Sequence, residues 1–223
     1  MQYAYSLTHS AWAGVERVLS PQRIGRYLPA ARGDKQLAFR LYLWNLRLCE
    51  AFYLPCHFCE VAIRNGLHEA LKARFGSEDW HLDQKVLARL PERQKVELTD
   101  VIRRARAEHG DGATIHHLIS QLPLGFWTGF LSRSYRNLIW RNGVQLAFPL
   151  ASVRETHQTA AERVQQFRKW RNRIFHHNAI FDKGPTAELQ NIDVLIGWRC
   201  KETQWLVRHE AAVSRVINSR PRY

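Results

Sequence analysis

Long apolar stretches are missing from this sequence of 223 residues. No uncharged run approaches the roughly 20 apolar residues that a membrane-spanning helix needs. The first six residues also lack the basic region and the apolar run of a signal peptide. We therefore expect a soluble, cytoplasmic protein that does not associate with a membrane.

Cysteine is scarce, and the four present are Cys49, Cys56, Cys59 and Cys200. Cys56 and Cys59 form one C-x-x-C pair, but no second pair follows at the spacing of a zinc site. The apolar neighbours of this pair favour buried free thiols over a metal centre or a disulfide. His57, His116 and His117 lack carboxylate or cysteine partners at ligand spacing. The sequence therefore predicts no bound metal and no cofactor.

Strand signals are lacking as well. No five-residue run alternates Val, Ile and Thr, whereas apolar residues recur three and four positions apart, as in Leu37, Leu41, Trp44 and Leu48. The hydrophobic fraction of 45% suffices for a substantial core, in which the eight tryptophans should each bury much of their rings. We predict a single all-α domain over residues 1–223, within which residues 1–76 could be a semi-independent part.

Capping and breaking residues predict the helix boundaries. Asp34 should cap a helix that Pro55 breaks or kinks, and a second helix should continue to Gly76. The other main helices should span residues 92–109, about 126–140 and 152–178, with Ser152 as the cap of the last one.

The charge is strongly one-sided, since 33 Lys and Arg face only 20 Asp and Glu, which gives a net charge of +13. Such an excess attracts phosphate polyanions. Nucleic acid is thus the first partner class to consider and an anionic membrane surface the second, while a charge that only aids solubility is the third interpretation.

The basic residues cluster in the helix that should end near Asn178. Arg168, Lys169 and Arg173 alternate there with apolar residues, so the helix should place one face in the core. Its basic face could hold an RNA backbone, or it could be an ordinary solvated face.

The same helix carries Arg171-Asn172-x-x-x-His176, a combination suited to RNA cleavage. Asn172 and His176 stand one helical turn apart. A histidine can move a proton at neutral pH, and an arginine can stabilise the charge on a phosphorane. Asparagine can orient the imidazole or hold a phosphate oxygen. By spacing alone, a helix-end histidine beside a solvated arginine is the simpler explanation of the pattern.

A second charged group precedes this helix in the chain. Glu60 lies four residues before Arg64, the favourable order for a helical ion pair. Arg64 and Asn65 could form a second anion site, or Glu60 and Arg64 could be a semi-buried pair that fixes helix packing. The structural pair is the simpler interpretation.

The segment from Trp170 to Phe181, WRNRIFHHNAIF, resembles the C-terminal motif of Abi-like (abortive infection) proteins. These belong to the HEPN superfamily, whose ribonuclease motif is Arg, four to six residues, then His. Further blocks that look like the family's others occur in the same order: Ser20-x-x-Arg23-x-x-x-Tyr27, Leu41-Tyr42-x-Trp44-Asn45, Glu60-x-x-x-Arg64-Asn65, and Gly125-Phe126-Trp127 through Trp140.

The resemblance implies a HEPN-type helical bundle, here with an N-terminal helical extension. Two units would pair so that their motifs form a composite site for metal-independent cleavage of single-stranded RNA, in phage defence or as a toxin. Arg171 and His176 would be the catalytic pair with Asn172 as the polar helper, and His177 also fits the looser spacing. Asn178 stands where toxins neutralised by tyrosine modification have tyrosine, which disfavours that kind of antitoxin. A non-catalytic RNA-binding regulator of the same family is the alternative, and any antitoxin or regulator stays unidentified.

Overall fold

The computed structural model describes residues 8–222, apart from the side chains of His9 and Asp111. This part of the chain forms α-helices, short 3-10 turns and loops, without a β-strand, so the predicted all-α fold is confirmed. The α-helices are α1 (His9–Leu19), α2 (Pro21–Gly25), α3 (Lys35–Phe75), α4 (Gln84–Leu87), α5 (Glu92–His109), α6 (Ile115–Gln121), α7 (Leu124–Gly129), α8 (His157–Phe175), α9 (Pro185–Arg199), α10 (Lys201–Glu210) and α11 (Val213–Asn218). The 3-10 turns are Trp80–Leu82, Gly110–Gly112 and Arg133–Tyr135.

The centre of the molecule is α3, a helix of 41 residues that is roughly 60 Å long. It packs against α2, α6, α7, α8, α9, α10 and α11. Of the break or kink predicted at Pro55, the break is wrong, because the helix continues through this buried proline. Proline removes one backbone donor, but the packing on several sides keeps both halves in one helix. Asp34 caps its start and Gly76 ends it with a φ of 69°.

Two other predicted boundaries need correction. The helix expected over residues 126–140 stops at Gly129, and turns follow up to Trp140. Gly129 weakens the helix, and Ser132 and Ser134 favour turns through their short polar side chains. α8 begins at His157 rather than after Ser152, because Thr156 is the cap and accepts a hydrogen bond from the amide of Thr159 at 3.1 Å. By contrast, α5 covers the predicted 92–109.

The core is rich in aromatic side chains, among them Trp44, Trp80, Trp127 and Phe52. Such residues contribute large buried areas and edge-to-face contacts, as between Trp80 and Trp127 with ring centroids 5.7 Å apart. Trp127 and its apolar neighbours thus belong to the core rather than to an exposed face. Trp205 contradicts the expectation for tryptophans, since 60% of it is exposed on α10.

α8 lies between α3, α7 and α9 on one side and solvent on the other. Its buried residues are Ala160, Val164, Phe167, Trp170 and Ile174, which recur every three to four positions. Trp170 packs edge-on against Phe52 of α3, with centroids 5.0 Å apart. The predicted motif therefore begins at a helix that is anchored in the core.

Candidate RNA-processing site

The end of α8 is a left-handed turn. His176 is the residue that ends the helix, and His177 follows with a positive φ of 55°. The amide of His177 donates to the carbonyl of Ile174 at 3.0 Å, and the amide of Asn178 donates to that of Arg173 at 2.8 Å. This is the pattern of a Schellman cap, in which glycine usually occupies the left-handed position. The turn leaves His176 and His177 exposed.

Arg23 fixes this turn from the other end of the chain. Its Nη1 donates to the carbonyl of His177 at 2.8 Å. Arg23 lies in α2, whose start is capped by the hydroxyl of Ser20. The block that begins at Ser20 is thus placed directly beside the Arg171–His176 segment.

Asn45 holds the chain that leaves the turn. Its buried side-chain oxygen accepts hydrogen bonds from the amides of Ile180 at 2.9 Å and Phe181 at 3.1 Å. The ring of Phe181 also stacks on that of Tyr27 at 4.8 Å. Two buried amides are satisfied by one side chain, so the position of residues 180–181 depends on Asn45.

Arg171 belongs to a charged cluster on the side of α8 that faces α3. Its Nε donates to Oε2 of Glu60 at 2.8 Å, while Oε1 of Glu60 pairs with Arg64. The guanidinium of Arg171 also lies over the ring of Phe175, 4.2 Å from its centroid. Arg64 donates further to the carbonyl of Ser120 at 3.1 Å, and burial lowers its pKa. Glu60 thus joins the two arginines, with 12% of its side chain exposed.

This cluster leaves part of Arg171 available to a ligand. Its side chain is 26% exposed, and its two terminal nitrogens donate no hydrogen bond within residues 8–222. Glu60 therefore fixes the inner edge of the guanidinium, while the outer edge can bind a phosphate oxygen.

The other predicted catalytic side chains are accessible. Asn172 is half-buried, and His176 and His177 are exposed. Among the described residues, none of these three side chains has a hydrogen-bond or ring partner. Asn65 is exposed too and does not take part in the cluster of Glu60 and the two arginines. The structure thus favours a packing role for Glu60 and Arg64 and shows no second anion site built with Asn65.

The predicted RNA-binding residues divide into two groups. Arg168 is half-buried and lies against α7, where its Nη1 is 3.4 Å from the hydroxyl of Thr128. Lys169 and Arg173 instead line an open groove of about 1190 Å³ beside α8, which we call the α8 groove. The same groove is lined by Arg133 and Arg136, which the sequence analysis did not single out. Their signal in the sequence was weak: two arginines three positions apart, the first of them between two serines.

Helix geometry relates the α8 groove to the motif. Arg171 points about 160° away from both Lys169 and Arg173, since each residue turns the helix by about 100°. His176 lies seven positions after Lys169 and therefore returns to within about 20° of its direction. The groove lining on α8 ends at Arg173. Consequently His176 stands just beyond the end of the groove, whereas Arg171 faces α3.

Among the described residues, neither a reactive thiol nor a cluster of metal ligands lies near this region. Burial raises the pKa of Cys56 and of Cys59 well above the ordinary thiol value, which keeps both protonated. In the described part of the chain, no three His, Cys, Asp or Glu side chains are arranged to hold a metal ion. None of the helices described for residues 8–222 has the length and apolar character needed to cross a membrane.

Comparisons with known proteins give no further identification: no family model, no curated protein and no solved structure matches this chain.

Proposed function

We propose that this chain is an Abi-like endoribonuclease of the HEPN type, with a HEPN bundle and an N-terminal helical extension. In this proposal it cleaves single-stranded RNA in the cytoplasm without a metal, in phage defence or as a toxin. The observation that carries the proposal is the end of α8. An exposed, unpartnered His176 follows Arg171, whose inner edge is fixed by Glu60 and whose outer edge is free.

The chemistry requires few groups. A base removes the proton of the 2′-hydroxyl, O2′ attacks the adjacent phosphorus, and the P–O5′ bond breaks as O5′ takes up a proton. Because Arg171 and His176 point about 140° apart around α8, they would serve one phosphate from different copies of a dimer. Arg171 of one copy would stabilise the phosphorane, and His176 of the other copy would move a proton. The products are a 2′,3′-cyclic phosphate and a 5′-hydroxyl end.

A homodimer would complete the site. In the family that the chain resembles, one motif supplies only half of a composite site, whereas the reaction uses both a base and an acid. In a two-fold dimer the same surface of each copy meets its counterpart, so two histidines could share one RNA strand. Sedimentation analysis tests this point: a strictly monomeric protein that still cleaved RNA would contradict it.

Labelled single-stranded RNA in excess chelator provides the decisive assay. Wild-type protein should produce fragments, and His176→Ala should reduce the rate by roughly 10²–10⁴-fold, as expected for loss of an acid or base. RNA binding should largely survive this substitution. His177→Ala is the matched control, because its side chain is equally exposed and lies one residue further on.

The control also tests the choice of histidine. Normal cleavage by His176→Ala together with inactive His177→Ala would assign the role to His177. If neither substitution mattered, the alternative function would be favoured, namely a regulatory protein that binds RNA without cutting it. The α8 groove supports that alternative, since its cations do not require His176 to bind a phosphate chain.

A further inference from the structure

Most cations of the α8 groove have no carboxylate partner. Lys183 lines the groove too, but its ammonium lies 3.3 Å from the carboxylate of the preceding aspartate. Arg133, Arg136 and Lys169 are exposed and Arg173 is half-buried. No carboxylate pairs with any of these four side chains within residues 8–222. Like charges gathered in one groove repel, so an anion that binds among them is favoured.

The two acidic residues of the groove lining accept hydrogen bonds from neutral amide side chains. Glu162 accepts a hydrogen bond from Gln158 at 2.9 Å. Glu188 is buried in the groove floor and accepts hydrogen bonds from Gln166 at 2.9 Å and Asn191 at 3.3 Å. Neither carboxylate forms an ion pair with a groove cation within residues 8–222. The Lys and Arg side chains of the lining outnumber its two carboxylates, so the groove keeps a net positive charge for a ligand.

Size and position indicate what that ligand is. About 1190 Å³ exceeds the roughly 300–1,000 Å³ of ordinary small-molecule pockets. Trp170 and Leu131 also line the groove, but each is only 4% exposed, so the groove cations rather than aromatic stacking would hold a ligand. A positively charged groove of this kind suits the phosphate chain of a single-stranded nucleic acid. The groove also leads along α8 towards His176.

We infer that the α8 groove binds the phosphate backbone of a single RNA strand through Arg133, Arg136, Lys169 and Arg173. The strand would then run past the end of α8 to His176. This inference rests on the proposed function and adds the path of the substrate and two arginines outside α8.

Equilibrium binding of a fluorescent, fully 2′-O-methylated oligonucleotide tests it, because this probe keeps the phosphates but lacks the nucleophile. Four phosphate contacts predict a slope of about −2.8 for log binding constant against log salt. Arg133→Gln with Arg136→Gln should flatten the slope by about 1.4 and weaken binding roughly 25-fold at 0.1 M salt. Arg104→Gln with Arg106→Gln removes two exposed charges from α5, outside the groove lining, and is the matched control.

The inference fails if the groove variant binds like the α5 control. It also fails if polyglutamate of equal charge binds as tightly as the oligonucleotide and loses affinity in the same variant, because the groove would then accept an acidic protein. Cleavage assays separate this outcome from failure of the proposed function. Normal binding by the groove variant with active wild-type enzyme overturns only the groove, whereas groove-dependent binding without any cleavage overturns only the ribonuclease.

Discussion

The two sides of α8 carry the same kind of residue in opposite surroundings. On the side that faces α3, Arg171 is bound to Glu60 and lies over Phe175. On the groove side, Lys169 and Arg173 have no carboxylate partner among the described residues. The comparison shows that the basic residues of one helix have two different environments. A paired arginine is held in position, whereas cations without a carboxylate partner produce a positive potential, which in general attracts anions.

The packed side should respond most strongly to mutation. Glu60→Ala leaves Arg64 and Arg171 as neighbouring, partly buried cations without their shared carboxylate. Loss of one partner of a buried charge group is strongly destabilising, and we expect the free energy of unfolding to fall by about 2–3 kcal/mol. Urea denaturation measures this change.

Lys169→Ala provides the control from the groove side. This exposed residue has no partner to lose, so the free energy of unfolding should change by no more than about 0.5 kcal/mol. If Glu60→Ala and Lys169→Ala lowered the free energy of unfolding equally, the two sides of α8 would not differ as described.

Sequence reasoning identified the basic helix but could not divide its residues between the two sides. The all-α class and the 92–109 helix follow from local patterns, which sequence shows directly. The pairing of Arg171 with Glu60 joins residues 111 positions apart, and the hydrogen bond from Arg23 to His177 spans 154. Such contacts depend on tertiary packing. For the same reason Pro55 was misjudged, because its helix is maintained by neighbours that local propensity ignores.

The turn that ends α8 offers a test with a smaller effect. His177 has a left-handed backbone conformation, which costs a non-glycine residue free energy. His177→Gly should therefore raise the free energy of unfolding by about 0.5–1 kcal/mol, after allowance for the greater freedom of glycine in the unfolded chain. Thermal or urea unfolding gives the value.

His176→Gly is the paired control, because His176 has a φ of −98° and gains nothing from glycine. The substitution His176→Gly should leave the free energy of unfolding unchanged or lower it slightly. If His176 moves the proton, His177→Gly should still cleave RNA, whereas His176→Gly should be inactive although its stability hardly changes. A stabilised His177→Gly that no longer cleaved would assign the chemistry to His177.

The smallest expected change in stability concerns Glu188, whose buried carboxylate lines the α8 groove. Burial raises the pKa of Glu188 above the ordinary value of 4.5, although hydrogen bonds from Gln166 and Asn191 oppose this shift. The folded state therefore holds the proton more tightly than the unfolded state. The resulting stabilisation is complete below pH 4.5 and is lost as the pH rises through the folded-state pKa. Glu188→Gln cannot titrate, so wild type should lose stability relative to this variant as the pH rises, by less than the changes expected for Glu60→Ala. Urea unfolding of both proteins from pH 4 to pH 8 measures the difference.

A change in the opposite direction would mean that a groove cation pairs with Glu188, because such a partner would lower its pKa. The groove cations would then be partly neutralised, and the contrast between the two sides of α8 would shrink.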